Sequence, residues 1–171
     1  MRLRTLLCFT CLAVSAQTPR APAFEDYPVA NRYRGKPLAP KFGGPQLPDS
    51  NERARETVEL QAEDGPNFAG HFTIAHWSCD TGCFQIVVID AMNGRLYRDM
   101  PFSTLDIGYD HDTEQHRYNG LSFRAASSLL VAEGCFDGEA RTAKGQPADC
   151  ARRYYRWDGS KFVILASLPV E

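Results

Sequence analysis

The chain lacks a long apolar run. Its longest, Leu6 to Val14, is about half of the ~20 residues that a membrane-spanning helix requires. It also lacks an excess of basic charge, with 19 Lys and Arg against 21 Asp and Glu, which disfavours a nucleic-acid partner. No G-x-S-x-G, H-E-x-x-H, P-loop or dinucleotide-binding fingerprint occurs, so no complete catalytic motif is present. Histidine is scarce, at four, and two of the six cysteines fall within the first eleven residues. Any chemistry must therefore come from a small number of polar residues.

What is present begins with an export signal. Arg2 and Arg4, the apolar run and the small-residue end Val14-Ser15-Ala16 predict a secretory signal peptide over residues 1–16, cut after Ala16. Cys11 is preceded by Cys8-Phe9-Thr10, without the small residue that lipoprotein processing uses. Cleavage leaves 17 basic residues against 21 acidic ones, a net charge of −4. The expected location is periplasmic or secreted, with no membrane span after cleavage. The expected partner is an envelope protein or a small ligand.

Residues 17–49 hold seven of the eleven prolines and read as an extended leader, with Phe24, Tyr27, Tyr33 and Phe42 spaced to pin it across a surface. Residues 50–171 are expected to form one α+β domain. Asp49-Ser50 can cap a helix that runs through NERARETVELQAEDG until Gly65-Pro66 stops it. Its apolar positions, Ala54, Val58 and Ala62, recur every four residues, which suits a helix lying on a sheet. After Pro66 the pattern changes to about seven strands, at Gly70–Trp77, Phe84–Ala91, Arg95–Tyr97, Leu121–Phe123, Ser128–Cys135, Arg153–Trp157 and Phe162–Ala166. Met92-Asn93-Gly94 and Asp158-Gly159-Ser160 are the strongest turns, and sequential hairpins predict a mainly antiparallel sheet. Gln85-Ile86-Val87-Val88-Ile89 is apolar at both parities, so this strand is expected to be covered on both faces.

Cys79, Cys83, Cys135 and Cys150 remain after cleavage, an even number in an oxidising compartment, and structural disulfides are the default. Of three possible connectivities the favoured one joins Cys79 to Cys83 and Cys135 to Cys150. Redox exchange would more usually have two residues between the cysteines and a helix N-terminus at the first, whereas Cys79 and Cys83 enclose three residues between strands. Zinc could recruit these thiols with His71 or His76, but five-residue spacing turns the two histidines to opposite faces of a strand. Asp80-Thr81-Gly82 matches the core of aspartic proteases but has no second copy to share a proton. Asp110, Asp112 and Glu114 alternate like a calcium loop, yet Gln115 and Leu121 occupy the positions that an EF-hand gives to Gly and Glu. Neither a metal site nor a cofactor is predicted.

The residues left are Asn67, His71, Trp77 and Asp80, which with the cysteine loop form the candidate binding surface. His76 reads as a partly buried, hydrogen-bonded core histidine, because Phe72, Ile74 and His76 share one strand face while His71, Thr73 and Ala75 share the other. Pro66 to His71, Trp77 to Cys83 and Tyr154-Tyr155-Arg156-Trp157-Asp158-Gly159 together resemble a family of small exported bacterial proteins of unknown function. That family carries P-N-F-A-G-H-Y, W-G-C-G-T-G-C and W-D-G segments. The resemblance spans residues 50 to 167, with Phe72 for Tyr, Ser78 for Gly and Asp80 for Gly. It implies the fold and export, not an activity. Two readings follow: a disulfide-stabilised binding module, or an envelope enzyme using His71 or His76 with Asp80 or the Cys79 and Cys83 pair.

Overall fold

The computed structural model describes residues 20–43, 52–110, 113–137 and 150–170. The export signal, the Asp49-Ser50 cap and the interior of the loop joining Cys135 to Cys150 lie outside these residues. One helix, α1 (Glu52–Glu63), packs on a mainly antiparallel sheet. The strands are β1 (Phe72–Asp80), β2 (Cys83–Asp90), β3 (Leu96–Tyr97), β4 (Leu105–Asp106), β5 (Tyr109–Asp110), β6 (Gln115–His116), β7 (Gly120–Phe123), β8 (Leu129–Phe136), β9 (Cys150–Trp157) and β10 (Phe162–Pro169). Eight of them form one sheet, ordered β1-β2-β4-β8-β9-β10, with β3 beside β2 and β7 beside β8. β5 and β6 form a separate two-stranded hairpin.

The α+β architecture expected from the sequence is the one observed, with more strands than the seven anticipated. β4, β5 and β6 are two residues each, too short to show a period of two. Ala54, Val58 and Ala62 are buried against Ala75, Trp77, Val87, Ile89 and Leu96, so α1 covers one sheet face. Full burial of Val58, at 0% exposure, contributes about 1.5 kcal/mol or more. The opposite face is an aromatic core in which Phe68, Phe72, Trp157 and Tyr155 pack with Ile74, Ile86, Val88 and Leu130. The Trp157 ring meets Phe72 edge-on at 5.3 Å and Phe162 in a tilted contact at 4.9 Å. β2 is thereby covered on both sides, as its unbroken apolar run requires.

The two strongest turns form where the sequence puts them. Asp90 accepts from the Met92 N–H at 2.8 Å and from Asn93 Nδ2 at 2.6 Å, and Gly94 supplies the positive φ of 73° that closes the hairpin. The leader is tied along the domain. Val29 N–H donates to Ala126, Tyr33 N–H to Gly70, Leu38 N–H to Ala91 and Lys41 N–H to Gly94. Arg55 lies over the Phe42 ring at 4.6 Å and Arg124 over Phe24 at 4.4 Å. A Cβ on Gly94 would stand 2.2 Å from the Ala39 carbonyl oxygen, so a glycine there allows the leader to cross so closely.

Candidate functional site

The hairpin joining β1 to β2 carries the first disulfide. Its tip turns through Thr81-Gly82, with Gly82 at φ 75°. The ladder shifts register between Ser78 and Asp80, and the Cys79–Cys83 bridge clamps the displaced strand with its Cα atoms 5.3 Å apart. A third restraint comes from outside the hairpin: Ile107 N–H donates to the Gly82 carbonyl at 2.7 Å. Cys83 and Phe84 also pair with Asp106 and Leu105 of β4. His76, Ser78, Cys79 and Thr81 are exposed along this projection.

The second disulfide joins Cys135 to Cys150, which face each other across the β8 and β9 ladder. Both connectivities are those favoured from the sequence. Paired disulfides of this kind persist in an oxidising compartment. They also leave Cys79 and Cys83 without a thiolate, so thiol chemistry at the tip would first need a reductant.

The four residues chosen from the sequence do not form one surface. His71 precedes β1 and Asn67 lies beside Ile74 within it, whereas Asp80 ends the strand, roughly 30 Å from the first and roughly 20 Å from the second at ~3.3 Å per residue. Trp77 is 6% exposed and packs beneath α1. Parity explains this: Trp77 shares its face with Thr73 and Ala75, which is the helix-covered face. His71 is half-buried at the turn before β1, its ring 4.0 Å from that of Phe72. His76 differs from the core histidine expected. It is exposed at the rim of the aromatic face, beside the Phe84 ring at 6.0 Å, and partial desolvation lowers its pKa below 6.5.

Asn67 has a structural task that its position after Pro66 did not reveal. Its Oδ1 accepts from the Ile74 N–H at 2.8 Å and its Nδ2 donates to the Ile74 carbonyl at 3.1 Å. The amide thus stands in for a paired residue on the outer edge of β1. Two residues along, Gln61 of α1 repeats the arrangement: its Oε1 accepts from the His76 N–H at 3.1 Å and its Nε2 donates to the His76 carbonyl at 2.7 Å. Two residues back, Phe72 exchanges backbone hydrogen bonds with Phe68 at 3.0 and 2.9 Å. Three successive outward positions of an edge strand are therefore satisfied.

A polar constellation that the sequence reading missed joins β8 and β9 to the residue that precedes β7. Glu133 of β8 is 8% exposed; its Oε2 receives Arg152 Nε at 2.5 Å and its Oε1 receives Asn119 Nδ2 at 2.9 Å. Burial pushes the Glu133 pKa up, but the hydrogen bonds from Arg152 and Asn119 outweigh it and hold the carboxyl below its ordinary 4.5. With both oxygens engaged, this carboxylate is held ionised and locks β8 to its neighbours. No spacing links residues 119, 133 and 152 in the sequence; only the strand register brings them together. In the acidic stretch, Asp106 Oδ1 accepts from the Gly108 N–H at 2.7 Å and so shapes a turn. Among the described residues, no three His, Cys, Asp or Glu side chains converge as a metal site would require.

Compared with known protein families, curated proteins and solved structures, the chain matches none.

Proposed function

We propose that the protein is a binding module of an oxidising extracytoplasmic compartment and that it meets its partner with the disulfide-clamped tip of the β1 and β2 hairpin. The observation that carries this reading is the excess of restraint on an exposed tip. Cys79–Cys83, the Ile107 to Gly82 hydrogen bond and the pairing of β2 with β4 all hold a segment that contributes little to either core cluster. A cross-link over so short a loop adds less to global stability than one over a long loop. Its larger effect is to fix the shape of Ser78 to Thr81, which lowers the ordering cost of recognition. Export by the N-terminal signal, and kinship with the small exported family that the PNFAGH and cysteine-loop segments resemble, belong to the same proposal.

The test is to replace Ser78 and Thr81 together by arginine, leaving both cysteines in place, and to use the variant as bait in chemical cross-linking on intact cells. The proposal expects the parent's cross-linked adducts to disappear while the melting temperature stays within about 2 °C. Adducts unchanged in a folded variant would move the contact surface away from the tip.

A further inference from the structure

We infer that β10 pairs with the β10 of a second copy of this chain, giving an antiparallel two-fold dimer in which the sheet runs through both subunits. β10 forms the open edge of the sheet. β9 pairs with one of its sides, and among the described residues nothing hydrogen-bonds to its backbone on the other. Its eight positions, Phe162 to Pro169, include no charged residue. Ile164, Leu165 and Leu168 expose 57%, 37% and 39% of their surface, and these are three of the six large apolar side chains that the described residues leave exposed. An unpaired apolar edge of this length is a template for another strand. The guards on this edge are the bulge at Leu165, where the ladder with β9 shifts register, and Pro169 near its end.

Two features favour a second copy as the occupant. Of the two strands that end the main run of the sheet, only β10 is open among the described residues, because β1 is closed at Phe72, Ile74 and His76 by Phe68, Asn67 and Gln61, and the one-sided β3 and β7 are short. An isologous pairing of open edges therefore stops at two copies, whereas a chain open on both sides would extend into a fibre. Charge also permits it. Antiparallel pairing sets the two Lys161 side chains at opposite ends of the joint. It also keeps the β9 arginines of the two copies about 14 Å apart, three strand spacings, beyond the ~8 Å screening length at physiological salt. One strand pair is small beside the ~1,600 Å² of a standard interface, so the dimer is concentration-dependent. Its consequence is bivalence: the two β1 hairpins stand at the outer margins, roughly 50 Å of sheet apart, and a surface bearing two targets would bind with avidity.

Sedimentation of the purified full chain from low to high micromolar concentration tests the inference. The expected mass rises from one chain to two, and Ile164→Lys with Leu165→Lys weakens the association about tenfold or more. Hydrogen exchange on the unaltered protein gives a second readout that needs no variant: β10 amides should be protected at high concentration and exchange freely on dilution. A single-chain mass throughout, with β10 amides exchanging at every concentration, would overturn the inference. So would a dimer that the double lysine variant leaves intact while its melting temperature is unchanged. Protection of β10 only when an unrelated strand peptide is added would overturn it in favour of a foreign strand.

Discussion

The two edges of the sheet are opposite solutions to one problem. A strand with an unpaired side must satisfy its backbone or offer it to another chain. At β1, two side-chain amides and a short backbone exchange satisfy Phe72, Ile74 and His76 in turn. At β10, among the described residues, no side chain does this, and the residues there are apolar instead of amide-bearing. The difference shows that an edge need not carry charge to be closed. An Asn or Gln side chain offers a donor and an acceptor in the plane of an amide, as a peptide unit does, and a single residue can replace one step of a ladder.

The cross-links follow the same division, and removing them is the largest perturbation available. Cys135–Cys150 braces the strand pair one step inward from the open edge, while Cys79–Cys83 braces the closed one. Loop-closure entropy predicts a loss of about 3 kcal/mol for Cys135→Ser with Cys150→Ser and about 2 kcal/mol for Cys79→Ser with Cys83→Ser. Equilibrium urea unfolding of the two variants checks the order. Equal losses would mean that the tip bridge stabilises the fold as much as the long-loop bridge and is not chiefly a shaping device.

Next in size is the amide that closes β1. Asn67→Ala removes two hydrogen bonds to Ile74 and should cost about 2 kcal/mol, with faster exchange of the Ile74 amide. Asn67→Asp sharpens the point, because the carboxylate still accepts from the Ile74 N–H but cannot donate to its carbonyl. That variant should regain part of its lost stability as pH falls below ~4 and the carboxyl protonates. Gln61→Ala acts at the more exposed end of the same edge and should cost about 1 kcal/mol. If either alanine variant begins to associate at high concentration in a chain whose β10 carries Ile164→Lys and Leu165→Lys, the closed edge will have been turned into an open one.

This contrast was only half legible in the sequence. The helix register, the double-sided burial of β2 and both strong turns follow from patterns within a few residues of one another, and both disulfide pairings are the favoured one of three connectivities. Asn67 was visible as a member of the candidate binding surface, but its role depends on lying beside a strand that begins five residues later and folds back past it. Gln61 carried no signal, since a glutamine on a polar helix face is ordinary until the helix is docked. Trp77 was misjudged because its place next to the cysteine loop suggested exposure, whereas its parity with Ala75 put it under α1. The openness of β10 depends on which strand stands last in the sheet. Strand order is a property of long-range pairing that no local period encodes.

The smallest expected effect comes from the polar link between the edges, and its sign is set by charge. Glu133 joins Asn119 beside β7 to Arg152 of β9 across β8. Its folded pKa lies below 4.5, so the folded state binds fewer protons than the unfolded state between these two values. The stabilisation is therefore complete above pH ~4.5 and is lost as pH falls through the folded pKa. Arg152 is 44% exposed at its side chain, and solvent screening keeps the contribution below about 1 kcal/mol. Glu133→Gln keeps the shape and an acceptor for Asn119 but removes the charge. It should be slightly less stable than the parent at pH 7, and the two unfolding curves should converge as pH falls through the folded pKa of Glu133. A gap that persists unchanged into acid would assign the effect to packing at β8 instead of to the ionised carboxylate.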